Sequence, residues 1–512
     1  MIPETEISVR TLILLLLIAS TVAMATKWVR VPYTLALVIV GMVISPMHFL
    51  PTVHVSPDLI LLIFLPALLF EAAWNLRLDH LRENLLPILM LAVPGVVLST
   101  GAIALVLNLG LGLAWKPALL FGAMISATDP VSVLALFRKL GLPTRLATIV
   151  EGESLLNDGT AAVVFRIILG VSAGASVGDV ALDSVREFVV VVAGGIIVGA
   201  LIGFMASLLT SYFDDHLLEI TLTTISAYGS FLLCEGLHVS PVIGVLVTGL
   251  VLGNYGRDKG MSPPTQVAVN SFWEYAAFVV NSLVFLLIGL EIQVTSLADH
   301  AAWVGWAVAA TLAARLMAVS LLMPVSNALG EVVPWRWQAV QFWGGLRGSL
   351  SIALVLSLPV DIEERAQLVT MIFGSVIFSL LAQGLTIAPL LRWLGFSQPE
   401  PHSHEQELVE GRILANAASL AELNGMRQRG EITGRIFEVL QDDLNNETDR
   451  LRELQAADEG MEKRQLDRAR RRLVATKKSR LAELNREGML SESAHHELRQ
   501  ELDWEKHTSG SH

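Results

Sequence analysis

The sequence predicts an all-α polytopic membrane protein: about thirteen transmembrane helices in two inverted six-helix repeats, with two crossed discontinuous helices, followed by a cytosolic helical tail. Three observations carry this expectation. The chain has 512 residues, 53% hydrophobic and 16% charged, with a mean hydropathy of +0.58, too apolar for a soluble enzyme or for disorder. Its charge is unevenly placed: 41 of the 84 charged residues fall in the last 116, leaving 43 for the first 396, too few for a surface that faces water. Apolar runs of spanning length recur along those 396 residues. The chain therefore divides into a transmembrane domain, 1–396, and a charged tail, 397–512.

Crossing the hydrocarbon takes about 20 apolar residues. Read in order, the runs place spans at roughly 8–26, 32–48, 57–75, 84–111, 116–138, 146–172, 188–211, 217–237, 240–255, 269–291, 301–325, 335–358 and 366–394. The first apolar run, Thr11 to Ala25, lacks a small-residue cleavage site and is followed by Lys27 and Arg30, so it reads as a retained span rather than a signal peptide. With the N-terminus outside, the inner loops hold ten basic residues (Lys27, Arg30, Arg77, Arg82, Arg138, Lys139, Arg145, Arg257, Lys259, Arg336) against four outside (Arg10, Lys116, Arg186, Arg365). That bias sets the N-terminus out and the tail in the cytoplasm.

An odd count permits two six-span repeats of opposite polarity on either side of span 7. The fifth span of the first repeat contains Ser126-Ala127-Thr128-Asp129-Pro130, and the fifth of the second contains Gly344-Gly345-Leu346-Arg347-Gly348-Ser349. Both are helix-breaking, polar and charged at equivalent places. Interrupted helices in matching positions of inverted halves point to a transporter's binding site. The plainer alternative is a pair of kinks that only assist packing, but each break also carries an ionisable residue.

The tail reads as soluble helix with a weak internal repeat. Leu420-Ala421-Glu422-Leu423-Asn424 recurs as Leu481-Ala482-Glu483-Leu484-Asn485, and Gly430-Glu431-Ile432-Thr433 is echoed by Gly488-Met489-Leu490-Ser491. Each copy has the order helix, glycine stop, new N-cap, helix. The run Arg468 to Arg472 suits a solvated helix face better than contact with anionic lipid. A single cysteine, Cys234, excludes a disulfide framework and a multi-cysteine metal site. A net charge of −12 without a basic stripe argues against nucleic acid. No nucleotide-binding loop or metal cluster is visible, so no cofactor is expected.

Ionisable groups within the bilayer are costly and are functional candidates by default. They are Glu71, Asp129, Glu151, Glu153, Asp158, Arg166, Arg315 and Arg347, of which Glu151 and Arg166 lie near the ends of span 6 and can snorkel to an interface. Span 6 carries Glu153-Ser154-Leu155-Leu156-Asn157-Asp158. Helical spacing puts Ser154 and Asp158 on one face and Glu153 and Asn157 on the next. The first pair offers hard oxygen ligands suited to Na+ or Li+. The second offers a carboxylate that needs a cation, from Arg315 or Arg347. Glu71, Asp129, Glu153 and Asp158 make four deep acids against two deep arginines, so at least one acid lacks a basic partner. Such a carboxylate holds a proton or binds a cation, and competition between those occupants is the chemistry of a cation–proton exchanger. At the first break, Pro130 frees backbone carbonyls for a cation. Half-helix ends there require compensating charge, negative from Asp129 at amide ends and positive from Arg347 at carbonyl ends. Asp129 as a helix cap and Asp129 as a direct ligand stand open equally.

With Thr128-Asp129-Pro130, Glu153-Ser154-Leu155-Leu156-Asn157-Asp158 and Gly344-Gly345-Leu346-Arg347-Gly348 in this order, residues 8–394 resemble the NhaP-type sodium/proton antiporters, the branch that includes the eukaryotic sodium/proton exchangers. The resemblance implies a homodimer with a dimer subdomain and a mobile core, elevator-like exchange of Na+ or Li+ for H+, a plasma (bacterial inner) membrane location and a role in pH homeostasis. It implies that Asp158 binds ion or proton, with Ser154, the Thr128 region and the third-span acid Glu71 as further ligands. Asn157 stands where electrogenic relatives carry a second aspartate, which implies one proton per Na+. Glu153 matches a glutamate that pairs with a core arginine, with Arg315 the better candidate and Arg347 at the second crossing. The tail lies outside the resemblance.

K+/H+ exchange shares these motifs. An intramembrane enzyme is disfavoured: Gly174-Ala175-Ser176-Val177-Gly178 matches a nucleophile-elbow pattern but lacks a strand-to-helix context and a histidine placed to serve it. A channel or a transporter-derived sensor is disfavoured by the inverted repeats.

Overall fold

The described residues of each predicted span are largely helical in the computed structural model, which describes residues 4–26, 28, 32–45, 59–171, 177–212, 215–291, 299–330, 332–359, 362, 364–396 and 401–456, with isolated positions at 473, 477, 481 and 494. Helices α1 (Glu4–Ala25) and α2 (Tyr33–Ile44) come first. A π-helical turn (Leu59–Phe64) runs into α3 (Leu65–Asn75), then α4 (Leu78–Glu83), α5 (Leu85–Ala92) and α6 (Pro94–Leu111). There follow α7 (Trp115–Ser126), α8 (Val131–Leu140), α9 (Thr144–Gly170), α10 (Val177–Thr210) and α11 (His216–Gly236). Next come α12 (Pro241–Val251), α13 (Arg257–Gly260), α14 (Pro263–Glu291) and α15 (Ala301–Leu329). The unit Met1–Gln398 ends with α16 (Trp335–Gly344), α17 (Ser349–Leu356), α18 (Arg365–Phe378) and α19 (Gly384–Trp393). Among the described residues, six helices are long and apolar enough to cross a membrane, and the bent pair α16–α17 makes a seventh.

The departures from the expected boundaries have local causes. The run 84–111 bends at Val93, because Pro94 at the head of α6 has no amide to donate to the preceding turn. Helix α10 begins at Val177 rather than 188. Asp179, Asp183, Arg186 and Glu187 make its first turns too polar for an apolar window to accept.

Packing sorts these helices into two groups. In one, α2 packs on α14, α3 on α12 and α14, and α12 on α10 and α11. In the other, α6 packs on α7 and α15, α5 and α7 pack on α9, and α18 packs on α15 and α17. Helix α9 touches α3, α10 and α12, and α17 touches α14, which joins the groups. Lipid tails are as apolar as leucine, so helices in a bilayer are held by close contact rather than by water exclusion. Gly41 of α2 meets Gly289 of α14 in this way: a Cβ on Gly41 would sit 2.6 Å from the Leu286 carbonyl oxygen.

The second unit, Pro399–His512, contains the hairpin α20 (Pro401–Gln428) and α21 (Gly434–Ala456). Gly430 turns the chain at φ +73°, a left-handed conformation that glycine adopts without strain. Across the hairpin, Asn416 Nδ2 donates to Thr448 Oγ1 at 3.4 Å and the Arg427 guanidinium lies 4.4 Å from the centre of the Phe437 ring. At the first copy of the tail repeat the chain runs helix, glycine turn, helix. Of the second copy only Leu481 is described, and Arg468 to Arg472 lie outside the described residues, as does the 174–176 segment of the nucleophile-elbow pattern.

Candidate ion-binding site

The site is built on two helix breaks that touch. Helix α7 stops at Ser126 and α8 resumes at Val131, while α16 stops at Gly344 and α17 resumes at Ser349, with a bend of 41°. The backbones meet where the Asp129 N–H donates to the Leu346 carbonyl at 2.7 Å. Glycine at position 348 permits this approach, because a Cβ there would overlap the Cβ and carboxylate of Asp129 and force it to shift.

Each break leaves helix ends without intrahelical partners and with partial charge. At the carbonyl end of α7, Arg347 Nη1 donates to the oxygens of Ser126 at 2.9 Å and Ala127 at 3.2 Å. At the carbonyl end of α16, Arg315 Nη2 donates to Gln341 O at 2.9 Å. At the amide end of α8, Asp129 Oδ1 accepts from the Val131 N–H at 2.9 Å, and the same carboxylate lies against Gly348 at the amide end of α17. Arg347 is fixed in turn through its own N–H, which donates to Ser379 Oγ at 3.0 Å. Ser379 starts a π-helical turn (Ser379–Gln383) between α18 and α19.

Helix α9 supplies the remaining groups one face at a time. Glu153 Oε1 takes Arg315 Nη1 at 2.5 Å, an ion pair with both side chains buried. Asn157 turns to the break instead: its Oδ1 accepts from the Thr128 N–H at 3.3 Å and its Nδ2 donates to Thr128 Oγ1 at 2.7 Å. The Ser154 hydroxyl donates to the Thr128 carbonyl. One turn further, the Asp158 carboxylate has its Oδ1 buried with no hydrogen-bond partner. Buried polar atoms in this condition are rare in folded proteins and mark strain or a place for a ligand.

Asp158, Ser154, Thr128 and Asp129 line a cavity of ≈ 290 Å³, with Glu71 of α3 among the groups facing them. Glu71 Oε1 is held by Asn75 Nδ2 at 2.7 Å. The cavity lies between the two packing groups, since the 127–130 break, α8, α9 and α17 form one wall and α2, α3 and α14 the other. Around Asp158 the lining offers carboxylates, hydroxyls and the Thr128 carbonyl, hard oxygen donors that suit a small monovalent cation. Among the described residues, no three His, Cys, Asp or Glu side chains converge as a divalent-metal cluster.

The structure therefore gathers Glu71, Thr128, Asp129, Ser154 and Asp158 around one space, with Asn157 bracing Thr128 beside them. Of the two candidate arginines, Arg315 is the one that pairs with Glu153; Arg347 caps α7 and does not line the cavity. Among the described residues, Glu153 is the one deep acid of the four in an ion pair, in keeping with the count of acids against arginines. Arg166 is exposed, and Glu151 lines the cavity. Sequence reading passed over Glu274, a carboxylate inside the predicted span 269–291 that also lines the cavity. It also missed Asn75, four residues after Glu71, although that spacing signals a contact on a helix. Ser379 and the Gln341 carbonyl had no local signal, because each acts on a residue distant in sequence.

A profile of the sodium/hydrogen exchanger transmembrane family matches residues 13–393. The chain is similar to the low-affinity Na+/H+ antiporter NhaS1 of Synechocystis sp., 44% identical over 432 residues that cover 83% of this chain and 82% of that one. It is also similar to the Na+/H+ antiporter NhaS2 of the same organism, 36% identical over 507 residues covering 97% and 92%. In fold it resembles the sodium proton antiporter MjNhaP1 of Methanocaldococcus jannaschii, with a TM-score of 0.62, 20% identity, and coverage of 77% of this chain and 100% of that one.

Proposed function

Because this chain belongs to the sodium/hydrogen exchanger family, we propose that it exchanges Na+ for H+ across the membrane, with Asp158 taking either a proton or the ion. The observation that carries this is the buried Asp158 Oδ1, open to no protein partner, beside Ser154 and the Thr128 carbonyl in one cavity. A carboxylate shielded from water and from cations is stable when something neutral or neutralising occupies it. A proton does so by bonding to the oxygen. Na+ does so by drawing in Asp158 and the oxygens next to it, for which Ser154 must turn its hydroxyl hydrogen away from the Thr128 carbonyl. Both cannot sit on the same oxygens, so arrival of one releases the other.

Asn157 contributes by position. Both ends of its amide are spent on Thr128, and it adds no titrating group beside Asp158, which supports a reading of one proton per Na+ with no net charge moved. Glu71, across the cavity, and Asp129, one residue from Thr128, are further ligands for the dehydrated ion. Thirteen spans in two inverted repeats, with the N-terminus outside, put the mouth of the cavity on the cytoplasmic side, since Glu71, Arg138, Glu151 and Glu274 all fall at inner ends of their spans. Alternating access follows from the two packing groups: the group that holds both breaks slides as an elevator against the other, whose α10, α11 and α12 serve a homodimer.

The test is dequenching of a pH dye in proteoliposomes of the full chain, comparing Na+, Li+ and K+ with and without a clamp on membrane potential. Na+-driven proton movement that is unchanged by the clamp supports electroneutral exchange. A response to K+ alone would move the assignment to a K+/H+ exchanger, and no cation response would overturn it.

A further inference from the structure

The cavity holds a charge imbalance that ion exchange at Asp158 does not use. Five carboxylates line it, Glu71, Asp129, Glu151, Asp158 and Glu274, and among the described residues one basic side chain does, Arg138. Helix α8 explains how it gets there. Val131, Leu134, Ala135 and Arg138 recur at helical spacing and form one stripe facing the cavity. The other face, Val133, Phe137 and Leu140, is buried against Leu146, Val340 and Leu391. The guanidinium is exposed at the mouth and within electrostatic reach of Glu71 and Glu151, yet among the described residues it makes no hydrogen bond or ion pair. A buried arginine in this protein is locked by contacts, as Arg315 and Arg347 are; Arg138 has a flexible stem and a permanent charge.

We propose that Arg138 is a tethered cation that competes with the cargo ion for the acidic mouth of the cavity, and so holds Na+ affinity below what the five carboxylates alone would set. This rests on the Na+/H+ exchange assigned to Asp158. Na+ entering the mouth meets carboxylates whose field Arg138 already partly cancels. Removing the guanidinium leaves that field to the cargo. Arg138 touches no ligand of the ion, so it tunes affinity from outside and leaves the exchange step in place.

The experiment uses the full-length protein in proteoliposomes, with the Na+ concentration for half-maximal exchange (K0.5) read at fixed pH. Arg138→Gln is expected to lower K0.5 roughly two- to fivefold, the range for a charge pair near a surface, with no rise in maximal rate. The difference shrinks when a non-transported salt raises ionic strength, because exposed charges are screened. Arg138→Lys keeps the wild-type K0.5. Arg138→Met is a second neutral variant that preserves stem packing, and the Na+ concentration that half-stabilises the detergent-purified protein against heat gives the same comparison without transport. A K0.5 that is unchanged or higher in both neutral variants overturns the role of Arg138. A wild-type protein that moves no protons in response to Na+ overturns the exchange assignment instead.

Discussion

At the α7–α8 break the chain turns Thr128 and Asp129 toward an open cavity; at the α16–α17 break it turns Arg347 away from that cavity and into the carbonyl end of α7. The two breaks pose the same electrostatic problem, a carbonyl end and an amide end exposed where no water can reach them. At the second break the protein supplies compensating groups of its own. Arg315 meets the Gln341 carbonyl of α16, and the start of α17 lies against Asp129. The first break is solved only in part: Asn157 and Ser154 brace Thr128, and one turn away Asp158 keeps an oxygen unpartnered. The break met by arginine is scaffold, and the one left incomplete beside Asp158 is where cargo fits.

The largest effect expected from this contrast is at Asp158. Asp158→Asn removes the group both ions share, so Na+-driven proton movement in proteoliposomes falls to the level of empty vesicles while the protein stays folded. Retained exchange would break the distinction between the two crossings. Next is the scaffold side. Arg315→Ala strands Glu153 without its cation and frees the Gln341 carbonyl, and is expected to lower stability by about 3–5 kcal/mol, as loss of one partner of a buried pair does. Thermal unfolding in detergent reads it. Gly348→Ala forces a methyl group against Asp129. The cost expected from such overpacking is about 1–3 kcal/mol, and with Asp129 displaced the exchange rate drops as well. The smallest effect is Asp129→Asn. Asparagine caps a helix about as well as aspartate, so stability changes by less than about 1 kcal/mol. Exchange kept near wild type marks Asp129 as a cap, whereas a K0.5 raised severalfold marks it as a ligand of the ion and sharpens how far the incomplete crossing extends.

Much of this contrast was legible before any coordinates. Proline and glycine inside apolar runs marked both breaks, and the i, i+4 spacing of Ser154 and Asp158 put a hydroxyl and a carboxylate on one face. Counting acids against arginines showed that some carboxylate had to lack a cation. What stayed hidden depends on pairings far apart in the chain. The choice between Arg315 and Arg347 for Glu153 turns on which helix packs beside α9, and nothing local encodes it. Asn157 looked like the neighbour of Glu153 by helical phase, but Thr128, 29 positions away, offers its backbone N–H and its side-chain hydroxyl to the amide. Glu151 shares the face of Ser154 and Asp158 on α9, and Glu274 shares a face with Ala277, Phe278 and Asn281 on α14, but that these faces meet at one cavity depends on packing between distant helices. The polar start of α10 escaped an apolar window for the same reason that it suits the membrane surface, since charged first turns belong in the headgroup region.

The central claim is that one carboxyl group carries proton and ion in turn, and proton release on Na+ binding tests it most directly. Purified protein in weakly buffered detergent solution, titrated with NaCl at a pH where Asp158 is protonated, is expected to release one H+ for each Na+ bound, and Asp158→Asn to release none. Na+ binding without proton release, or release that persists in Asp158→Asn, would contradict it.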